Sequence, residues 1–357
     1  MNERIAVVLF NLGGPDAPSA IAPFLKNFFM DPAIIGAPYP VRFLLSRLIA
    51  WRRSRNEAGS SYAMLGGRSP ILEHTRAQAQ ALEALLVDLP GVHVSVHVCM
   101  RYWHPMSDQV AAQVKQSGAT RVILLPLYPQ FSTTTTGSSF TDWDRAAKAV
   151  GLDVPTQAIC CYHDDAAWIG ASARLVRAAY DQAVRASGAA PRVLFSAHGL
   201  PEKIIRAGDP YQSQCEETAA AIAHALAIPN LDWQICYQSK VGPLRWIGPA
   251  TDEAITQAGR EGKAVVIYPH AFVSDHVETL VEIEHEYRDL AAKAGVPHFT
   301  RVPTVMTDPE FMGGLARIVR DQVLTPRGDR GTIASARGDC RCRAETHGRC
   351  PMRVKGA

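Results

Sequence analysis

The sequence predicts an α/β protein made of two doubly wound lobes, each around a parallel sheet. Apolar runs of strand length recur at residues 5–12, 92–100, 122–128, 193–197, 233–237 and 264–268. Helical patterns lie between most of them, at 71–86, 168–186 and 216–227, which is the alternation expected of βαβ units. The third observation is length, since 357 residues suggest two domains of roughly 100–200 residues each. The Gly- and Pro-bearing stretch at 151–155 closes the first lobe, so we assign 1–155 to it and 156–325 to the second. Residues 326–357, rich in Arg and Gly and poor in apolar residues, read as a tail outside both cores.

Taken in chain order, the exits from these strands are polar or carry Pro and Gly: NLGGP at 11–15, RYWHP at 101–105, YPQFS at 128–132, SAHGLP at 196–201, YQSKVGP at 237–243 and YPHAFVSDH at 268–276. In an open α/β sheet, ligands bind outside the carboxyl ends of the strands, so chemistry should concentrate on one edge of each sheet. NLGGP is a glycine turn and not a phosphate loop. No G-x-G-x-x-G follows a strand and no G-x-x-x-x-G-K-[ST] occurs, which removes the usual support for a dinucleotide or a nucleoside triphosphate. The stretch at 39–51 carries Val41, Phe43, Leu44, Leu45, Leu48, Ile49 and Trp51, flanked by five arginines. A core helix is its default reading, although basic ends around an apolar stripe also suit the mouth of a pocket for a flat apolar ligand, or a membrane surface.

The hydroxyl-rich run from Ser132 to Ser139 leads into a predicted helix and offers N–H groups and hydroxyls to an anion such as a carboxylate, with a plain Ser/Thr cap as the alternative. His198 ends a short apolar strand, where an imidazole can accept a proton near neutral pH. Asp275 and Glu278 have capping-box spacing, which alone accounts for both carboxylates. Capping does not account for the continuation Glu278, Glu282, Glu286. Those acids recur every four residues beside apolar Val277, Leu280, Val281 and Ile283, as either a solvated face or an ion path. A π-bulge would bring them more nearly into line.

The formal charge of +3, from 37 Lys and Arg against 34 Asp and Glu, carries no field that implies nucleic acid. The N-terminus lacks the pattern of a secretory signal and no run approaches eighteen apolar residues, so a cytoplasmic protein is expected. Eight cysteines in such a compartment point to metal or redox chemistry rather than disulfides. Cys340, Cys342 and Cys350 form a C-x-C-x7-C array that lacks one ligand of a four-cysteine site, and Cys160 or Cys161 can supply it for an iron-sulfur cluster or zinc. Cys99, Cys215 and Cys236 read as small core residues.

SAHGLP, GDPY at 208–211, YQSKVGPLRWIGP at 237–249 and AFVSDHVETLVEIEHEY at 271–287 closely resemble ferrochelatases. NLGGP, the Gly-Gly-x-Ser-Pro after Tyr62, RYWHP and YPQFSTTTTGSS resemble the same family in the same order, so the resemblance spans roughly 5–320. It implies a chelatase-like fold of two Rossmann-like domains, each with a parallel four-stranded sheet, and insertion of Fe2+ into protoporphyrin IX, the last step of haem synthesis. Coproporphyrin III as substrate, or a non-catalytic porphyrin- or haem-binding protein, are the alternatives. By resemblance, His198 is the proton acceptor and Glu278 its partner, both also touching substrate iron. Asp275, His276, Glu282 and Glu286 correspond to a metal or proton conduit, with Asp275 and His276 also at the pocket. Tyr62, Ser69, Arg101, Tyr102 and Trp246 correspond to porphyrin contacts, and the 39–53 stretch to a hydrophobic lip with peripheral membrane contact. Thr133 stands where animal members with a [2Fe-2S] cluster place a cysteine. Cys160 or Cys161 with Cys340, Cys342 and Cys350 resembles instead the ligand set of some bacterial members. Monomer and homodimer both stay open.

Overall fold

A computed structural model describes residues 3–240, 242, 244–324, 332–335 and 338–339. Cys340, Cys342 and Cys350 lie outside the described residues. The first sheet contains β1 (Glu3–Asn11), β2 (Val92–Met100), β3 (Arg121–Pro126) and β4 (Thr156–Ile159), all parallel in the order β4-β3-β1-β2. The second contains β5 (Arg192–His198), β6 (Trp233–Gln238), β7 (Val265–Tyr268) and β8 (Phe299–Arg301), parallel in the order β6-β5-β7-β8. Because β1, β3, β5 and β7 are covered on both faces, they are continuous apolar runs rather than alternating ones. That property is what made them visible in the sequence.

Two features depart from the sequence reading. β4 pairs with β3, so the first sheet runs past residue 155 to Ile159. The tail is also not wholly outside: β9 (Thr332–Ser335) adds parallel to β4, and β10 (Gly338–Asp339) folds back antiparallel on β9. Neither short strand has the length of apolar run that announces itself against the polar sequence around it.

The largest buried cluster draws on both lobes. Ile5, Val7 and Leu9 of the first sheet share it with Val193 and Phe195 of the second, through Trp168, Ile169 and Val176 of the helix Ala166–Ser187 and Phe311, Leu315 and Val319 of the helix Pro309–Leu324. Helices therefore fill the space between the sheets, and the lobes are tied by a common core. The helix Ala166–Ser187 begins at a true cap, with the Asp165 carboxylate accepting from the N–H groups of Ala167 and Trp168, and ends at Gly188 with φ +72°.

The helix Tyr39–Arg55 contradicts its default assignment to the core. Only Ser46 and Ala50 are buried, while Tyr39, Leu44, Leu48 and Trp51 are each more than half exposed. Among the described residues, no other element covers that apolar stripe. No helix among the described residues is long and apolar enough to cross a membrane.

Candidate active site

Since the strands of each sheet are parallel, their carboxyl ends share one edge, and β5 delivers His198 there. The loop after β7 delivers Asp275, His276 and Glu278, the last opening a π-helix, Glu278–Tyr287. Ten residues of π-helix are rare, and π segments occur frequently at functional sites. His198 Nδ1 lies 3.0 Å from Glu278 Oε2. With Nδ1–H donated to the carboxylate, Nε2 carries the lone pair, and the half-buried imidazole keeps that nitrogen free to accept a proton. Burial by itself lowers the His198 pKa, but the charge and hydrogen bond of Glu278, with Glu282 beyond, raise it above the ordinary value. Burial pushes Glu278 up, and His198 overrides it and holds the carboxyl below the usual range.

His276 is buried, with Nδ1 3.1 Å from the Ser274 carbonyl and Nε2 4.0 Å from Glu278 Oε2. Glu282 follows one step along the π-helix. It accepts hydrogen bonds from Ser239 N–H at 3.0 Å, Ser239 Oγ at 2.7 Å and Tyr287 OH at 3.0 Å, while burial and Glu278 raise its pKa. Glu286 is exposed, so the row runs from the buried pair toward solvent. Asp275 stands apart from this row: its carboxylate pairs with Arg301 at 3.1 Å, and its carbonyl contacts His74 Nδ1 at 2.9 Å.

The first lobe brings its own residues to this region. The NLGGP turn holds them by backbone: Asn11 and Leu12 carbonyls accept from Arg101 and Tyr102, and the Pro15 carbonyl from Ser69 at 2.7 Å. Gly14 is required there, since a Cβ would lie 2.6 Å from Ser69 Cβ. Arg101 Nη2 and Tyr102 OH both reach Asp31 Oδ2, at 2.9 Å and 2.8 Å, and Ser138 Oγ also donates to it. Tyr62 is buried in the same apolar cluster as Tyr102, against which Val277 of the second lobe packs. Burial, then the Glu278 charge, raise the Tyr62 pKa. Trp246 lies against Gly199: a Cβ on that glycine would be 3.2 Å from the indole and 2.9 Å from the Gln238 carbonyl. His198, Glu278, His276, Glu282 and Tyr62 thus come together, with Trp246 beside them, while Asp31 holds Arg101 and Tyr102 in the first lobe.

The hydroxyl run behaves unexpectedly. Ser132 and Thr133 do meet a carboxylate, but it is the protein's own Asp209. Thr135, the residue before the helix Thr136–Val150, makes no side-chain cap. Asp31, Asp209 and Gln78, whose amide spans the carbonyls of Val273 and Met306, were not singled out from the sequence. Only GDPY as a motif pointed toward Asp209. Cys99, Cys215 and Cys236 are buried core thiols as expected, with burial raising each pKa, to about 12 for Cys99 and Cys236. Among the described residues, no three His, Cys, Asp or Glu side chains form a set able to hold a metal ion.

The sequence pattern described as Ferrochelatase matches residues 4–323. The chain belongs to the ferrochelatase family. It is 51% identical over 354 residues, 99% of each chain, to the ferrochelatase of Caulobacter vibrioides, and 48% identical over 354 residues to that of Phenylobacterium zucineum. A Wolbachia ferrochelatase matches at 50% over 311 residues, 87% of this chain and 97% of its own. Among solved structures, sirohydrochlorin chelatase from Bacillus subtilis subspecies spizizenii in complex with cobalt aligns with a TM-score of 0.52 at 13% identity, covering 92% of this chain and 98% of its own. At that identity the likeness concerns the fold alone, and it is the chelatase-like α/β fold. As a ferrochelatase-family enzyme, the chain inserts ferrous iron into a porphyrin in haem biosynthesis.

Proposed function

We propose that the porphyrin is protoporphyrin IX and that His198 and Glu278 carry the proton chemistry. Metallation releases two pyrrolic protons as Fe2+ binds the four nitrogens. The observation that carries this reading is the His198–Glu278 pair, in which a carboxylate that accepts from Nδ1 leaves Nε2 as the nitrogen able to take up a proton. Glu278 stabilises the imidazolium that forms. His276, 4.0 Å from Glu278, tunes that charge, and Glu282 and exposed Glu286 lead the second proton or the incoming metal along the π-helix. Iron here is substrate, and the same row can bind it in passing. Tyr62, Ser69, Arg101, Tyr102 and Trp246 shape the slot, with the Trp246 indole seated on Gly199 so that it presses on the macrocycle and exposes nitrogen lone pairs. Asp275 acts at one remove, since its ion pair with Arg301 and its carbonyl's contact with His74 anchor the loop before Glu278.

The lobes divide into residues 1–155 and 156–325 in this reading, with β4 lent to the first sheet. The exposed stripe of Tyr39–Arg55 with its arginines is the lip, and it lets a cytoplasmic enzyme touch the inner membrane face as a monomer or homodimer. For the tail, a [2Fe-2S] cluster held by Cys340, Cys342, Cys350 and either Cys160 or Cys161 remains our reading. It is supported by β9, whose register sets Ala334 beside Ile159, the residue before Cys160. Asp339, the sequence neighbour of Cys340, pairs with Ala334 and so lies roughly 10 Å from Ile159, two strand spacings away. Cys160 and Cys161 are buried thiols with sulfurs 3.5 Å apart. Such a cluster supplies one-electron redox capacity or structural cross-linking.

Anaerobic turnover with protoporphyrin IX and coproporphyrin III in competition tests the substrate. Preference for coproporphyrin III overturns the assignment, and stoichiometric binding without metallation overturns the enzymatic reading. Visible bands near those of iron-sulfur proteins, with equal iron and sulfide in the purified chain, are expected for the tail. Zinc in their place removes the cluster.

A further inference from the structure

Asp209 is a buried carboxylate, 3% exposed, that no cation pairs with among the described residues. Its partners are instead four hydrogen-bond donors. Oδ2 accepts from Thr133 Oγ1 at 2.6 Å, Thr133 N–H at 2.7 Å and Ser132 Oγ at 3.0 Å, and Oδ1 from Tyr211 N–H at 3.0 Å. The first three belong to the loop between β3 and the helix Thr136–Val150, in the other lobe. Neighbouring bonds reinforce the same seam. Phe131 N–H donates to Gln214 Oε1 at 2.7 Å, and the Gln130 amide donates to Thr218 Oγ1 and to the His270 carbonyl.

The two ends of this seam lead to Arg101 in the first lobe and to the surroundings of His198 in the second. Downstream of Thr133, Ser138 donates to Asp31 and accepts from Arg101 Nε at 2.7 Å, within the first lobe. Downstream of Asp209, Tyr211 packs under Ala197 and Leu200, the residues around His198. A shift at the Asp209 contact therefore changes the spacing between Arg101 and His198. We propose that Asp209 is a positioning residue, a clamp between the lobes that holds the porphyrin slot at the width required for metallation. Resting the contact on one carboxylate oxygen makes it exacting, because three donors converge on a single acceptor whose burial leaves water no access to replace them.

This rests on iron insertion into porphyrin as the reaction of the slot, so wild-type turnover is the control, and its absence would overturn both readings. The variants are Asp209→Asn, Thr133→Val and Thr133→Ser. Thr133→Val deletes one donor at nearly constant volume, while Thr133→Ser retains it. The readouts are kcat, KM for porphyrin and for Fe2+, thermal midpoint, and the resonance Raman lines of out-of-plane deformation in the bound porphyrin. Asp209→Asn and Thr133→Val should lower kcat by about tenfold or more, since a misplacement of order 1 Å can cost about a hundredfold. They should also weaken the deformation lines, leave KM for Fe2+ unchanged, and Thr133→Ser should retain the wild-type values. Wild-type rates and Raman lines in Thr133→Val overturn the clamp. So does a loss of rate that merely follows the thermal midpoint while the bound porphyrin stays equally deformed. If Asp209→Asn does not fold, the two Thr133 variants decide.

Discussion

Glu278 and Asp209 are both carboxylates withdrawn from water in the second lobe, and they end in opposite electrostatic states. Glu278 faces an imidazole at 3.0 Å and is held below the usual carboxylate range, whereas Asp209 faces only neutral donors and burial pushes it above. The difference is instructive. A cationic partner that can itself titrate makes a site through which a proton moves, while a set of hydroxyl and amide donors makes a joint with fixed geometry. Burial alone does not tell the two apart; the identity of the partner does.

The largest effect should come from Glu278, the carboxylate proposed to handle protons. Glu278→Gln keeps the shape but removes the charge, and chelation should fall by about 10²- to 10⁴-fold, as loss of general acid–base assistance does. A loss under threefold in steady-state metallation would place the chemistry elsewhere. The same substitution sharpens the comparison through pH. With Glu278 present the His198 pKa is raised, so the free-base form needed to accept a proton appears only above the ordinary histidine value near 6.5. In Glu278→Gln the burial effect is left with less opposition, and the acidic limb of residual activity should move to lower pH. A limb that stays in place or moves upward contradicts the pair.

Stability gives the next contrast. The His198 contribution is complete below about pH 6.5 and is lost as pH rises through its raised folded value. The Glu278 contribution is present above about pH 4.3 and is lost as pH falls through its lowered folded value, so the ion pair stabilises most between those limits. Asp209→Ala leaves buried donors without an acceptor at about 1–3 kcal/mol each, whereas Glu278→Ala exposes a half-buried imidazole to solvent. Urea unfolding at pH 5.5 should therefore rank Asp209→Ala as the more destabilising of the two.

Gly199→Ala tests the wall rather than the pair, because its Cβ would crowd the Gln238 carbonyl and the Trp246 indole. Overpacking of that kind costs about 1–3 kcal/mol, and KM for porphyrin should rise as the indole is displaced. Arg145→Ala, at an exposed ion pair with Asp108, sets the floor: a stability change below about 1 kcal/mol and unchanged turnover.

Much of this site was legible before any coordinates. Strand ends are local events, so His198 at the end of β5 and the acidic row after β7 stood out from apolar runs that simply stop. The π-helix was anticipated only as a means of aligning that row. The hydroxyl run offered either an anion site or a plain cap, and nothing local said that a carboxylate 76 positions away would fill it. Asp31 and Gln78 gave no signal, since an isolated carboxylate or amide between apolar neighbours looks the same whether it is a surface group or the centre of a network.

The amino-acid order by itself determined the alternation of strands and helices, the edge on which chemistry collects, and the chemical type of the groups delivered there. These depend on periodicity and turns within a few residues, which the chain carries locally. Only the tertiary structure decided that the stripe on Tyr39–Arg55 is exposed among the described residues, that the two sheets share one core, and that Asp209 meets Thr133. Each of those outcomes is set by which surfaces pack together over long sequence separations, and no local pattern carries that information.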